Sequence, residues 1–185
     1  MPRPGRMIVT CLLAALIGVA TAQAQSDAPW TTVGSAGTVD EQDLWNVSLG
    51  SPVAGGVSVW AGTVHIRYNV VAVAGLLQGG GFTMRARFLD HGASERVLIN
   101  FKQYALETGS TTTLLTLDSD TFPASGFFRT ENASTSCLPT LDFVNNSYFM
   151  DVEMTKTFTR PIVTAFYPRP ALAMIRLSNP GFCVG

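Results

Sequence analysis

The sequence predicts an all-β fold, an antiparallel β-sandwich or jelly-roll-like domain of about seven to nine short strands. Three observations carry this. Apolar and polar residues alternate along most of the chain, the period of a strand with one buried face. Clusters of Gly, Pro, Asn and Asp interrupt the alternation at roughly 10-residue spacing. Helical periodicity is missing, apart from Val39 to Trp45, which has room for one turn. Each sheet is then expected to bury its apolar parity against the other.

The elements follow in order. Residues 1–24 read as a secretory signal peptide. Arg3 and Arg6 form the basic start, Met7 to Ala20 the apolar centre, and overlapping A-x-A patterns end it at Ala20, Ala22 and Ala24. The apolar centre is shorter than the ~20 residues that cross a bilayer. No second long apolar stretch follows, so no membrane span is expected after cleavage. Residues 25–37, rich in Ser, Thr, Gly and Ala, read as a flexible lead-in. Residues 38–185 read as one β-sandwich domain.

Within it, Trp45, Val47 and Leu49 share one parity, and Val57, Val59 and Ala61 repeat the pattern after a Gly/Pro connection. This predicts a hairpin with Trp45 in the core and Trp60 facing outward. Val64, Ile66, Tyr68 and Val70 predict the next strand. A parity flip to Val71 and Val73 marks a bulge or a strand end covered on both faces. Gly79 to Gly81 is a connection between strands, not a phosphate loop, because no helix follows it. Phe82, Met84, Ala86 and Phe88 alternate, then Val97, Ile99 and Phe101, with a second flip at Tyr104 and Leu106. Thr111 to Leu117 is β-branched and Leu-rich. Phe127 to Thr130, Tyr148 to Met154 and Leu172 to Leu177 complete the set.

Composition narrows the function classes. Hydrophobic residues make up 46% of the 185, so the chain is not mainly disordered. The formal net charge of -1 argues against nucleic acid as a partner. Signal cleavage would remove Arg3 and Arg6 and leave ten Lys+Arg against thirteen Asp+Glu, about -3. It would also remove Cys11. Cys137 and Cys183 would remain, and an even pair in an exported protein predicts one disulfide. The expected location is secreted or periplasmic. No zinc-ligand spacing occurs, and no cofactor is expected.

Candidate sites are few. Asp118 and Asp120 resemble the start of a calcium loop, but the Gly and Glu that complete the twelve-residue pattern are missing. An acidic turn is the expected role, with calcium as the alternative. Asp151 and Glu153 lie on one strand face, His65 and Arg67 on a second and Arg85 and Arg87 on a third. A cross-strand charge ladder is expected there rather than a glycosidase pair. His91 reads as a solvated turn residue, and no G-x-S-x-G elbow is present. Trp60 is the candidate ligand contact, because an outward indole suits the face of a sugar ring. Leu98 and Phe149 are outward apolar positions that would suit an oligomer interface. N-x-S sequons occur at Asn46, Asn132 and Asn145.

Several stretches form a recognisable set. They are Gly62 to Val70 (GTVHIRYNV), Thr116 to Ser119 (TLDS), Leu141 to Phe149 (LDFVNNSYF) and Ile175 to Leu177 (IRL). With them the chain resembles a group of secreted bacterial proteins of unknown function, from about Thr38 to Leu177. The resemblance implies export and an all-β fold, and no activity or site residue. The expected function is an exported, non-catalytic β-sandwich with a structural or interaction role. A carbohydrate-binding module with an extracellular glycan as its partner is the first alternative. A secreted hydrolase using Asp151, Glu153 or His65 is the second. A homo-oligomer is a candidate state.

Overall fold

The computed structural model describes residues 28–49, 56–77, 79–135, 137–138, 140–157 and 169–179. The expected signal peptide and Cys183 lie outside them. Eleven strands occur among the described residues: β1 Trp30–Val33, β2 Thr38–Val39, β3 Val47–Leu49, β4 Val57–Val59, β5 Gly62–Val70, β6 Thr83–Asp90, β7 Glu95–Ala105, β8 Thr111–Asp118, β9 Ser125–Ser134, β10 Asn146–Lys156 and β11 Ala171–Ser178. They form two antiparallel sheets. The first runs β3-β4-β11-β6-β9, with β1 also paired to β11, and the second runs β2-β5-β10-β7-β8. The all-β sandwich is therefore the fold. The count exceeds the expected seven to nine because β1 and β2 are short and lack a legible alternation.

The parities behave as a two-sheet core requires. In β5, Val64, Ile66, Tyr68 and Val70 are buried, while Arg67 and Asn69 are exposed. In β10, Tyr148, Met150, Val152 and Met154 are buried opposite Val97, Ile99 and Phe101 of β7. Phe82 and Phe101 pack with ring centroids 6.3 Å apart, and Tyr148 continues the contact at 5.9 Å from Phe101. The first parity flip is a strand end but not one covered on both faces, since β5 stops at Val70 and Val71 is exposed. Near the second flip, the β7–β8 register shifts between Phe101 and Lys102, as a bulge does.

The 25–37 lead-in needs correction from Trp30 onward. Trp30 to Val33 pair with Leu177 to Met174 of β11, and Trp30 is only 6% exposed. Burial of an indole and a backbone ladder order a segment whose Ser/Thr/Gly composition suggests none. A glycine contact then closes the corner. The Gly34 carbonyl accepts the Tyr68 hydroxyl at 2.5 Å. A Cβ on Gly34 would stand 2.0 Å from the Leu172 carbonyl oxygen and 3.1 Å from the Val57 nitrogen. Those are backbone atoms and cannot rotate away. Gly34→Ala is therefore expected to lower the unfolding free energy by about 1–3 kcal/mol or more, the range of overpacked interiors. Urea denaturation monitored by tryptophan fluorescence would measure it.

Candidate functional site: a tryptophan pair beside a polar concavity

The chain passes between the two sheets through a 3-10 segment, Glu41–Asn46, which joins the edge strand β2 to the edge strand β3. Hydrogen bonds fix it against β5. The Asp40 N–H donates to the His65 carbonyl at 3.1 Å, the Asp43 N–H to the Asp40 carbonyl at 2.8 Å, and the His65 N–H to Asp43 Oδ2 at 2.8 Å. The first and third of these tie the start of the segment, Asp40 to Asp43, to β5 of the second sheet.

This placement overturns the expected core role of Trp45. A residue in a 3-10 turn does not follow strand parity, and Trp45 is 91% exposed. Trp60, just after β4, is 50% exposed, in line with its outward parity. The two lie at one corner. The Trp60 N–H donates to the carbonyl of Asn46 at 2.8 Å, which continues the β3–β4 register of Val47 opposite Val59. On the other side, the β4–β11 register of Ser58 opposite Ala171, continued by two residues, sets Trp60 opposite Arg169. The Val59 N–H donates to the Pro170 carbonyl at 3.2 Å, which holds that continuation in place. The Arg169 guanidinium lies over the Trp60 ring. Burial pushes the Arg169 pKa down from the usual arginine range.

Beside the corner is a concavity of about 470 Å3 lined by Asp40, Glu41, Gln42, Asp43, Thr63 and His65. Its lining alternates carboxylates, an amide, a hydroxyl and an imidazole, all able to bond hydroxyl groups. Asp40, Glu41 and Gln42 are exposed. Thus an open indole, a second indole and a row of hydrogen-bonding groups share one edge of the sandwich.

Of the hydrolase candidates, His65 lines the concavity. Asp151 and Glu153 sit on the outer face of the second sheet, opposite Arg67 and His65 of β5. Lys102 Nζ donates to Asp151 Oδ2 at 2.5 Å, and Arg67 lies 4.0 Å from Asp151. The expected charge ladder therefore exists, and Asp151 is committed to it. Arg85 and Arg87 are not part of it, because β6 belongs to the first sheet. Leu98 and Phe149 point to the same outer face and are partly buried by its side chains.

The acidic turn binds an arginine. Arg96 Nε and Nη2 donate to the two carboxylate oxygens of Asp118 at 3.0 and 2.5 Å, and Arg96 lies 3.5 Å from Asp120. A cation at Asp118 and Asp120 would have to displace this two-pronged guanidinium. Among the described residues no group of three or more His, Cys, Asp and Glu is arranged to hold a metal. The Arg96 hydrogen bonds hold Asp118 below the usual carboxylate range, while burial and the Asp118 charge push Asp120 up. A lowered carboxyl stabilises the fold above its unfolded pKa, and that contribution is lost as pH falls through its folded value. The pair is partly exposed, so Asp118→Asn is expected to cost less than about 1 kcal/mol at neutral pH. It should also flatten the loss of stability on acidification, as read from urea midpoints between neutral pH and the acid range.

His91 is also corrected. Its Nδ1 lies 2.8 Å from Glu95 Oε2, and its N–H donates to the same oxygen at 3.1 Å. The turn residue is thereby tied to a buried acid and is not solvated on all sides. Cys137 is disulfide-bonded.

No protein-family model matches the chain, and no curated protein does. Solved structures do. The C-terminal CBM6 module of the marine laminarinase LamC from Zobellia galactanivorans aligns over 82% of this chain and 100% of its own, with 11% identity and a TM-score of 0.50. A carbohydrate-binding module of the Cellvibrio mixtus lichenase 5A, solved with cellotriose, aligns over 82% and 98% with 11% identity and a TM-score of 0.43. The CBM36-1 domain of a xylanase from the hindgut metagenome of Trinervitermes trinervoides aligns over 83% and 99% with 12% identity and a TM-score of 0.42. The LamC likeness shows the two-sheet sandwich fold. Among the described residues no helix is long and apolar enough to cross a membrane.

Proposed function

We propose that this chain is an exported, non-catalytic carbohydrate-binding module that holds a glycan at the Trp45–Trp60 corner. The observation that carries the reading is Trp45, an indole 91% exposed on a segment pinned to the sandwich. An indole that exposed buries little area and so contributes little to folding. It does suit the apolar face of a pyranose ring, with the polar concavity beside it to bond the hydroxyls. The sandwich shared with the LamC module supports the same reading, which displaces the structural-module reading to second place. The hydrolase reading is weaker, because Asp151 is held by Lys102 and Arg67 on an open sheet face.

The signal-peptide pattern supports a secreted or periplasmic location. In that setting Cys137 pairs with Cys183 and fastens the C-terminal tail, a loop worth a few kcal/mol in the chain-entropy account. The test is affinity electrophoresis of residues 25–185 through gels containing soluble β-glucan, xylan or galactan. Retardation by at least one polysaccharide, relative to a gel without it, supports the reading. Equal mobility in all of them contradicts it.

A further inference from the structure

Trp60 stands in a cross-strand row, with Asn46 on one side and Arg169 on the other. The Arg169 side chain covers its ring, and the Val59 to Pro170 hydrogen bond anchors the backbone that delivers it. Trp45, one residue from the other end of the row, has no such cover and is far more exposed. The two indoles of the corner are thus unequal.

Resting on the carbohydrate-binding reading, we propose that Arg169 is a gate on Trp60. Its guanidinium occupies the ring face that a sugar would stack on, so Trp45 is the platform open at all times and Trp60 becomes a second platform only when Arg169 swings away. The contact between a cation and an indole face is favourable by electrostatics, so a sugar on Trp60 must first break it. A short glycan is held at Trp45 alone. A longer one gains the second ring at the expense of that contact.

Two measurements test this together. In Trp45→Phe protein the remaining indoles are Trp60 and the buried Trp30, so acrylamide quenching reports on Trp60. Adding Arg169→Ala is expected to raise that quenching. In otherwise unaltered protein, Arg169→Ala is expected to tighten binding of a retarding polysaccharide about two- to fivefold, the scale of an exposed cation–π contact. Arg169→Lys, which keeps a cation over the ring, should stay near the parent value and shows that the site is intact. Weaker or unchanged affinity in Arg169→Ala overturns the gate, as does quenching that does not change. Binding by neither protein overturns the carbohydrate reading and the gate with it, while the quenching comparison still tells whether the ring is covered.

Discussion

Glu95→Ala is expected to lower the unfolding free energy by about 3–5 kcal/mol, the cost of stranding one partner of a buried ion pair. Glu95 continues the inward parity of Val97, Ile99 and Phe101, and Lys156 continues that of Met150, Val152 and Met154. The two are opposite one another in the β7–β10 register. Their charges therefore meet at the end of the core, where the Glu95 side chain has no exposure and that of Lys156 only 13%. Lys156 Nζ donates to Glu95 Oε1 at 2.5 Å, and His91 takes Oε2. Removing the carboxylate leaves an ammonium and a backbone N–H without their acceptor. Glu95→Gln keeps an acceptor but not the charge, so a smaller loss is expected. The double variant Glu95→Leu/Lys156→Met should recover most of the loss, because apolar replacement of a whole buried pair is often close to neutral. Urea titrations with unchanged slope would establish that these are differences in stability.

The second large effect is on binding. Trp45→Ala is expected to weaken polysaccharide affinity at least about 30-fold, the ~2 kcal/mol of a residue that dominates an interface. The same change should leave stability within about 0.5 kcal/mol, as surface substitutions do. This split separates a binding role from a packing role. A core tryptophan, which is what its parity with Val47 and Leu49 suggests, would show the reverse: a loss of about 3–5 kcal/mol in stability on truncation. Isothermal titration and urea denaturation of the same variant give both numbers.

Much of the sandwich was legible because a period of two leaves little freedom. Once Val64, Ile66, Tyr68 and Val70 are assigned to one face, the opposite assignment of Arg67 and Asn69 follows. The charge ladder was legible for the same reason, up to strand order. Arg85 and Arg87 share the ladder's parity but belong to the other sheet, which no local pattern reveals. The site was legible only in half. Trp60 reads outward from its own strand. Trp45 does not, because Glu41–Asn46 winds into a 3-10 segment and carries its indole off the strand face. The signal available was Asp40-Glu41-Gln42-Asp43, a polar run poorly suited to a strand. Arg169 was out of reach, since its place depends on β11 returning beside β4. Trp30 was hidden by its Ser/Thr/Gly surroundings, and only its pairing with β11 explains its burial. The Glu95–Lys156 pair was open to extension of the two inward parities by one step, a step that charged residues discourage.

The central claim is that Trp45 contacts a glycan, and one titration tests it most directly. In Trp60→Phe protein the indoles are Trp45, almost fully exposed, and Trp30, buried. Emission on adding a soluble polysaccharide that retards the protein in gels then reports on Trp45. The account predicts a saturable change in intensity with a blue shift, as water leaves the ring. A polysaccharide that binds while this emission stays constant would place the site elsewhere on the sandwich, and would contradict the assignment of Trp45 as its platform.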